Sequence, residues 1–252
     1  MKFILLFILI IFIYMFLIEP NILVVKKLKI QNENLKGLRI VFASDFHVKP
    51  YDKFRLRRIV RKINAQTPDI ILLGGDYVNG HKRGNTLSID KISKELGNLK
   101  SKYGTFAVMG NHDGWQGKRD VIKAFENVGI TVLENSRKDF DRFSVAGVED
   151  LQTGNPNIEQ AVSDVNLPLI LISHTPDVIE KIPAKVDLTL SGHTHGGQIV
   201  LGKPLVVPSK FGTKYAYGWF PNEKLYVSRG LGSSILPLRF NCFPEITVIE
   251  FE

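Results

Sequence analysis

The sequence predicts a layered α/β domain, its sheets covered by helices, behind an apolar N-terminal segment. Three observations predict it. Short apolar runs alternate with helical stretches between residues 38 and 172, and strands alternating with helices build sheets that helices pack upon. Clusters bearing Asp and His follow the apolar runs, at what would be the carboxyl ends of strands, where phosphate and metal chemistry gathers in such folds. Residues 3–18 carry no charge at all.

The composition agrees. The 252 residues are 44% hydrophobic and 23% charged, the balance of a folded chain, and their number suits one α/β domain. The lone cysteine, Cys242, excludes an internal disulfide. The net charge of +8 favours anionic partners: phosphate esters, phospholipid surfaces or nucleic acid. Charge does not choose among the three.

Residues 3–18, as a helix, would reach roughly 24 Å, slightly short of the roughly 30 Å hydrocarbon core of a bilayer. No small-x-small cleavage site follows them, so an uncleaved anchor is preferred to a cleaved signal peptide. The expected division is therefore residues 1–20 as a transmembrane or signal-anchor segment and 21–252 as the folded domain. Lys26, Lys27 and Lys29 follow the segment and Lys2 precedes it; this bias puts the domain on the cytoplasmic face of the cell membrane.

Residues 24–31 alternate loosely, as an edge strand does. Residues 38–43 form an apolar strand ending in Ser44-Asp45-Phe46-His47. Residues 51–66 read as a helix with Leu56, Ile59, Val60 and Ile63 on one face and Lys53, Arg57, Arg58, Arg61 and Lys62 largely elsewhere. Residues 69–73 are a second buried strand entering Gly74-Gly75-Asp76. The unit recurs: 88–102 is helical, 105–109 a strand running into Gly110-Asn111-His112-Asp113, 119–127 helical, 130–133 extended and 143–148 a strand. Then 158–165 is helical, and 167–172 a strand that delivers Ser173-His174. The β-branched-rich run 186–190 enters Gly192-His193-Thr194-His195-Gly196-Gly197-Gln198, which holds two of the six histidines. Residues 203–221 have no clear period, and 224–227 and 245–251 read as closing strands.

The strand-end residues are Asp45, His47, Asp76, Asn111, His112, His174, His193 and His195. Carboxylates, neutral imidazoles and an amide oxygen suit Mn, Zn or Fe better than Ca, and the lack of cysteine excludes a structural zinc finger. They are too many for one ion. Two ions sharing a carboxylate, with Asp76 as the natural bridge, would use them.

In order, Asp45-Phe46-His47, Gly75-Asp76, Gly110-Asn111-His112-Asp113, His174 and Gly192-His193-Thr194-His195 resemble the motifs of the calcineurin-like metallophosphoesterases. Gly196-Gly197-Gln198, Ser228-Arg229-Gly230-Leu231-Gly232 and Leu238-Arg239-Phe240 with Pro244-Glu245-Ile246 are similar to the membrane-associated bacterial phosphodiesterase branch, which includes UDP-2,3-diacylglucosamine pyrophosphatases of lipid A synthesis. The resemblance implies a calcineurin-like two-sheet β-sandwich flanked by helices in α-β-β-α layers. It implies two divalent metal ions, the first held by Asp45, His47, Asp76 and His195, the second by Asp76, Asn111, His174 and His193. It also implies that a metal-bridging hydroxide attacks phosphorus, that His112 bonds a phosphate oxygen or protonates the leaving group, and that Asp113 orients His112.

The expected activity is therefore hydrolysis of a phosphodiester or pyrophosphate bond, on a lipid-linked or nucleotide-sugar substrate such as UDP-2,3-diacylglucosamine. Arg229 and Arg239 either clamp a second phosphate or pair with carboxylates. His81 reads as a solvated histidine. Trp115, Tyr215, Tyr217, Trp219 and Phe220 either wall an apolar substrate pocket or cover the core edge, and the basic helix is either a solvated face or an anionic-surface contact. One rival is a nuclease or general phosphatase of the same fold. No extended Lys/Arg stripe interleaved with aromatics supports a nucleic-acid partner. The rival from another class, a non-catalytic membrane-bound binding module, is opposed by the full set of ligand-type residues.

Overall fold

The computed structural model describes residues 2–81 and 84–252; Met1 of the expected 1–20 segment, and Lys82 and Arg83, lie outside it. The chain opens with α1 (Lys2–Ile13), whose helix widens into a π-turn at Tyr14–Ile18 and tightens into a 3-10 turn at Glu19–Asn21. Together Lys2–Asn21 make 20 helical residues, long and apolar enough to cross a membrane. The helix thus outruns the charge-free stretch, and its length of roughly 30 Å matches a bilayer core. Its far end is gripped by the domain. The Glu19 carboxylate, fully buried, accepts from the Asn241 and Cys242 amides at 3.0 and 2.5 Å. The Arg239 amide donates to the Met15 carbonyl at 3.0 Å.

The first half of the domain runs β1 (Val24–Ile30), β2 (Arg39–Ala43), α2 (Lys53–Asn64), β3 (Ile70–Leu73), α3 (Ile89–Leu96), β4 (Thr105–Ala107), α4 (Asn111–Glu126) and β5 (Ile130–Val132). The second runs β6 (Ser136–Asp139), β7 (Ser144–Gly147), α5 (Ile158–Val162), β8 (Leu169–Ile172), β9 (Leu188–Ser191), β10 (Val200–Leu201), β11 (Lys203–Pro204), β12 (Gly218–Phe220), β13 (Leu225–Val227) and β14 (Glu245–Phe251). One six-stranded sheet has the order β1-β14-β2-β3-β4-β5 and the other β12-β13-β9-β8-β7-β6. In the first, β2, β3, β4 and β5 are parallel and β14 runs antiparallel to β2. In the second, β7, β8, β9 and β13 are parallel, with antiparallel β6 and β12 at the edges.

Alternation along the strands makes the layers. From β2, Val41 and Ala43 pack with Leu56, Ile59, Val60 and Ile63 of α2, while Ile40 and Phe42 face the second sheet and meet Ile170, Ile172, Leu188 and Leu190. The outer face of the second sheet packs Leu169 and Leu171 against Ile158, Ala161 and Val162 of α5. Helix, sheet, sheet, helix is the order expected. The helix expected at 119–127 begins at Asn111 instead and crosses Gly117, whose φ of 116° breaks its regularity. The glycines there read as breakers, but Asp113 reaches back to accept from the Gly110 amide at 2.9 Å and starts the helix. The short strand β6 was not expected; three of its four residues are polar or charged and exposed.

Candidate metal centre

The strand order brings the carboxyl ends of both sheets to one edge. Asp45 and His47 follow β2, Asp76 follows β3, Asn111 opens α4 just beyond β4, His174 follows β8, and His193 and His195 follow β9. All seven are buried. Asp45, His47, Asp76, His193 and His195 take positive φ, between 39° and 69°, a region that non-glycine residues enter at a cost and that clusters at functional sites. Two glycines make room. A Cβ at Gly110 would lie 2.2 Å from the Asp76 carboxylate, and one at Gly192 would lie 2.0 Å from Ser44 Oγ and 2.4 Å from Asp45 Oδ2.

The side chains form two groups. Donor atoms of Asp45, His47, Asp76 and His195 lie within 4.8 Å of one another, as do those of Asp76, His174 and His193. Asp76 belongs to both. Its Oδ2 is 3.4 Å from His47 Nε2 on one side and 3.4 Å from His174 Nε2 on the other. Asn111 Oδ1 joins the second group, 3.0 Å from His174 Nε2. The structure therefore brings together every residue expected to hold metal, with the shared carboxylate where the sequence put it.

The donor set fits divalent cations. His47 Nε2 and His195 Nε2 converge to 3.1 Å, and His193 Nδ1 and His174 Nε2 to 3.2 Å. Asp45 Oδ2 is buried with no hydrogen-bond partner. Converging imidazole nitrogens beside buried carboxylates are what a cation satisfies. His174 Nδ1 lies 2.7 Å from the Gly74 carbonyl, which fixes its proton there and turns Nε2 inward. Burial, with His174 beside it, depresses His193 to about 4, and burial with His47 beside it holds His195 well below the usual range. Both are neutral near pH 7, as ligands must be. Burial opposes charge on His174, but Asp76 outweighs it and raises the imidazole to about 10. Burial likewise opposes charge on Asp76; His174 and His47 overcome it and hold the carboxyl well below its usual range.

His112 sits at the mouth. Its Nδ1 is 3.0 Å from the Gly80 carbonyl, so that nitrogen carries the proton, while Nε2 faces Asp76 Oδ2 at 4.0 Å. Asp113 does not orient this ring. Its carboxylate accepts from the amides of Gly110, Asp76, Tyr77 and Val78 at 2.8–3.2 Å, clipping the Asp76 loop to the start of α4. Backbone amides of that loop lie closer to the carboxylate than the imidazole does, and the Gly80 carbonyl takes over the orienting role.

Arg239 is also reassigned. It is fully buried, and its guanidinium donates to the carbonyls of Cys242, Arg229, Gly230 and Gly232; it pins the closing loop and cannot reach substrate. Arg229 stacks over Tyr217, 4.3 Å from its ring centroid, and lines neither cavity at the mouth.

Above the metal groups opens a cavity of about 400 Å³ whose wall is apolar: Trp115, Ile199, Leu205, Val206, Ile235 and Leu236. Trp115, Val206 and Ile235 are 42%, 74% and 92% exposed. Of the aromatics singled out in the sequence, Trp115 walls the cavity, whereas Tyr215 and Phe220 pack edge to face at 5.1 Å. His81 stacks on Trp115 at 4.5 Å and lies 5.1 Å from His112, so it is a rim residue rather than a merely solvated one. Sequence reasoning missed Gln152, whose amide is 3.4 Å from His193 Nε2; its loop follows β7 as the other site loops follow their strands, and that position was the available signal.

Over residues 38–197 the sequence matches the calcineurin-like phosphoesterase family. It is 34% identical to the phosphodiesterase YaeI of Escherichia coli, across 94% of this chain and 91% of that protein. It is 34% identical to the uncharacterized metallophosphoesterase YkuE of Bacillus subtilis, across 86% and 79%. An uncharacterized metallophosphoesterase of Helicobacter pylori is 33% identical across 85% of this chain, which spans only 60% of that longer protein.

Proposed function

This chain belongs to the calcineurin-like phosphoesterases, and we propose that its substrate is a membrane-borne phosphodiester or pyrophosphate, such as an acylated nucleotide-sugar. The chain is a phosphoester hydrolase that works with two divalent metal ions. Bound between the two donor groups, those ions would supply Lewis-acid polarisation of the phosphoryl group and activation of water. Asp45, His47, Asp76 and His195 would hold one, and Asp76, Asn111, His174 and His193 the other. His112 turns Nε2 to the centre; with Nδ1–H held by the Gly80 carbonyl, Nε2 would bond a phosphoryl or leaving oxygen once it too is protonated, a state that an anionic phosphate beside the ring favours. Gly80 and Asp113 act behind these groups, one keeping the ring in position and the other the Asp76 loop.

The observation that carries the lipid reading is the join between the apolar cavity wall and the N-terminal helix. Val200 and Phe240 bond through their backbones at 2.9 Å, and the Gln198 side chain ties the 198–201 segment to Leu236 and Ser234. The next residues along, Asn241 and Cys242, grip Glu19 at the end of the helix. An anchor at residues 1–20 would thus hold the mouth of a 21–252 catalytic domain close to the bilayer. Arg58, which donates to the Asn21 carbonyl at 2.9 Å, adds a basic face beside that exit, and Lys26, Lys27 and Lys29 support a cytoplasmic domain.

The test compares one diester in acylated and deacylated forms, with the metal-loaded full chain in vesicles. The acylated form should be favoured more than tenfold in kcat/KM, about 1.4 kcal/mol of transition-state binding. Equal rates would mean a general phosphodiesterase, and comparable turnover of single-stranded DNA would mean a nuclease. The chain should stay with membranes through a carbonate wash; loss from the membrane sinks the anchor.

A further inference from the structure

A second cavity, of about 370 Å³, lies on the other side of His112, lined by Lys49, Asn79, Asn85, Ser233 and Ser234. It shares His81, His112, Ser234 and Ile235 with the metal cavity, so the two adjoin at the imidazole. Their linings differ: the first has an apolar wall, the second amides, hydroxyls and an ammonium group.

The second cavity has a fixed floor. Val48 bridges Val78 in parallel register, which sets Lys49 beside Asn79. Asn79 Nδ2 donates to the Asn85 carbonyl at 3.0 Å, and the Gln116 amide donates to the Asn79 and Gly80 carbonyls at 2.6 and 2.7 Å. The nearby acid, Asp52, accepts from the Lys49 backbone amide and from Arg55 Nε, each at 3.1 Å, so its carboxylate is paired with Arg55. Among the described lining residues Lys49 is the only Lys or Arg, and none is a carboxylate. The cavity therefore offers hydrogen-bond donors and one positive charge with no ion-pair partner among the described residues.

We infer that this cleft is a headgroup subsite, in which Lys49 holds a second phosphate carried by the polar half of the substrate. The inference rests on the metal centre being the phosphoester-cleaving site. With the scissile phosphorus at the metals and acyl chains along the apolar wall, the polar half has the cleft beyond His112 as its receptacle. The volume is that of a binding site for a small organic group. An ammonium without a carboxylate partner among the described residues, set among amides and hydroxyls, favours an anionic, hydroxylated headgroup over an apolar one.

Two measurements test it. The first takes a diester whose leaving alcohol carries a phosphate monoester, and the same diester without it. Wild type should favour the phosphorylated form at least tenfold in kcat/KM, chiefly through KM. Lys49→Gln should reduce that ratio below about twofold, and Lys49→Arg should restore most of it. An unchanged ratio in Lys49→Gln overturns the proposal. The second is binding of glycerol 3-phosphate to the holoenzyme with inorganic phosphate saturating the metals. It should weaken at least tenfold in Lys49→Gln, and no binding to wild type overturns the subsite. Binding that depends on Lys49, with neither diester hydrolysed, would leave the subsite standing and remove the phosphoester reading instead.

Discussion

The floor and the rim of the apolar cavity adjoin in space and are built on opposite principles. On the floor, His193 and His195 come from the end of a buried central strand, take positive φ, and are buried. On the rim, Leu205 and Val206 sit beyond a two-residue hairpin, and Ile235 and Leu236 in an irregular loop, all four well exposed. The floor is over-determined. Two sheets, close-approach glycines and the Asp113 clip hold each donor, as positions within fractions of an ångström require. The rim rests on few bonds, among them those of the Gln198 side chain to Ser234 and Leu236. Loops carried on a rigid scaffold are where selectivity can change without disturbing chemistry. Floor substitutions should therefore damage every substrate alike, and rim substitutions only some.

The largest effect belongs to the carboxylate common to both metal groups. Asp76→Asn should drop bound metal below one ion per chain by elemental analysis and abolish turnover on every substrate, a loss larger than the roughly 10²–10⁴-fold of an acid–base residue. Two ions retained with activity would mean that Asp76 does not bridge. Metal loading should also depend on pH. Asp76 keeps a proton on His174 up to about 10 without metal, and a cation must displace it. Affinity should rise about tenfold per pH unit between 7 and 9, with about one proton released per chain. A flat affinity over that range would contradict the proton count.

His112→Ala comes next. It should retain both ions, since the ring lies 4.0 Å from Asp76 at Nε2 and belongs to neither metal group. Turnover should fall roughly 10²–10⁴-fold on a poor leaving group and less on a nitrophenolate ester. Metal loss in this variant would move His112 from the mouth into the floor.

That same division decided what was legible in the sequence. Asp45, His47, Asp76, His174 and His193 could be read because each follows an apolar run that makes a strand, and strands of a parallel sheet end together. The continuous apolar run 38–43 announced a strand covered on both faces, but the two-sheet layering came from the family resemblance; only the folded chain separates Ile40 and Phe42 from Val41 and Ala43. Arg239 misled because a basic residue near glycines looks like a phosphate clamp; only the folded loop reveals four carbonyls waiting for it. Asp113 misled because its amide partners at Tyr77 and Val78 are 36 and 35 residues away in sequence. Of the rim, only Trp115 carried a signal; its aliphatic part carried none. Residues 203–221 have no period, and the loop with Ile235 becomes a wall only once Gln198 ties it down.

A smaller effect tests the rim directly. Leu205→Ser with Ile235→Ser should cost about tenfold on an acylated diester, in line with removing a few buried methylenes from a substrate contact, and less than twofold on its deacylated counterpart. Equal losses on both would show that the rim shapes the floor, erasing the distinction.

The smallest effect concerns the joint between helix and rim. The Glu19 carboxylate is buried and accepts two backbone amides, from Asn241 and Cys242, while the adjacent Phe240 pairs with Gln198 and Val200. Glu19→Gln keeps the shape but turns one acceptor into a donor facing an amide, leaving a buried pair unmatched at about 1–3 kcal/mol. That cost falls on the joint, away from the strand ends, so metal content and turnover of a soluble diester should stay within twofold of wild type. Freed from a fixed helix, the rim would meet the bilayer less often, and kcat/KM for an acylated diester in vesicles should fall about threefold. The same substrate in detergent micelles should show no such fall, because there the mouth needs no fixed height above a membrane. A loss equal in micelles and vesicles would place the effect in the rim itself, and no loss in vesicles would mean that the helix tethers the domain without aiming it.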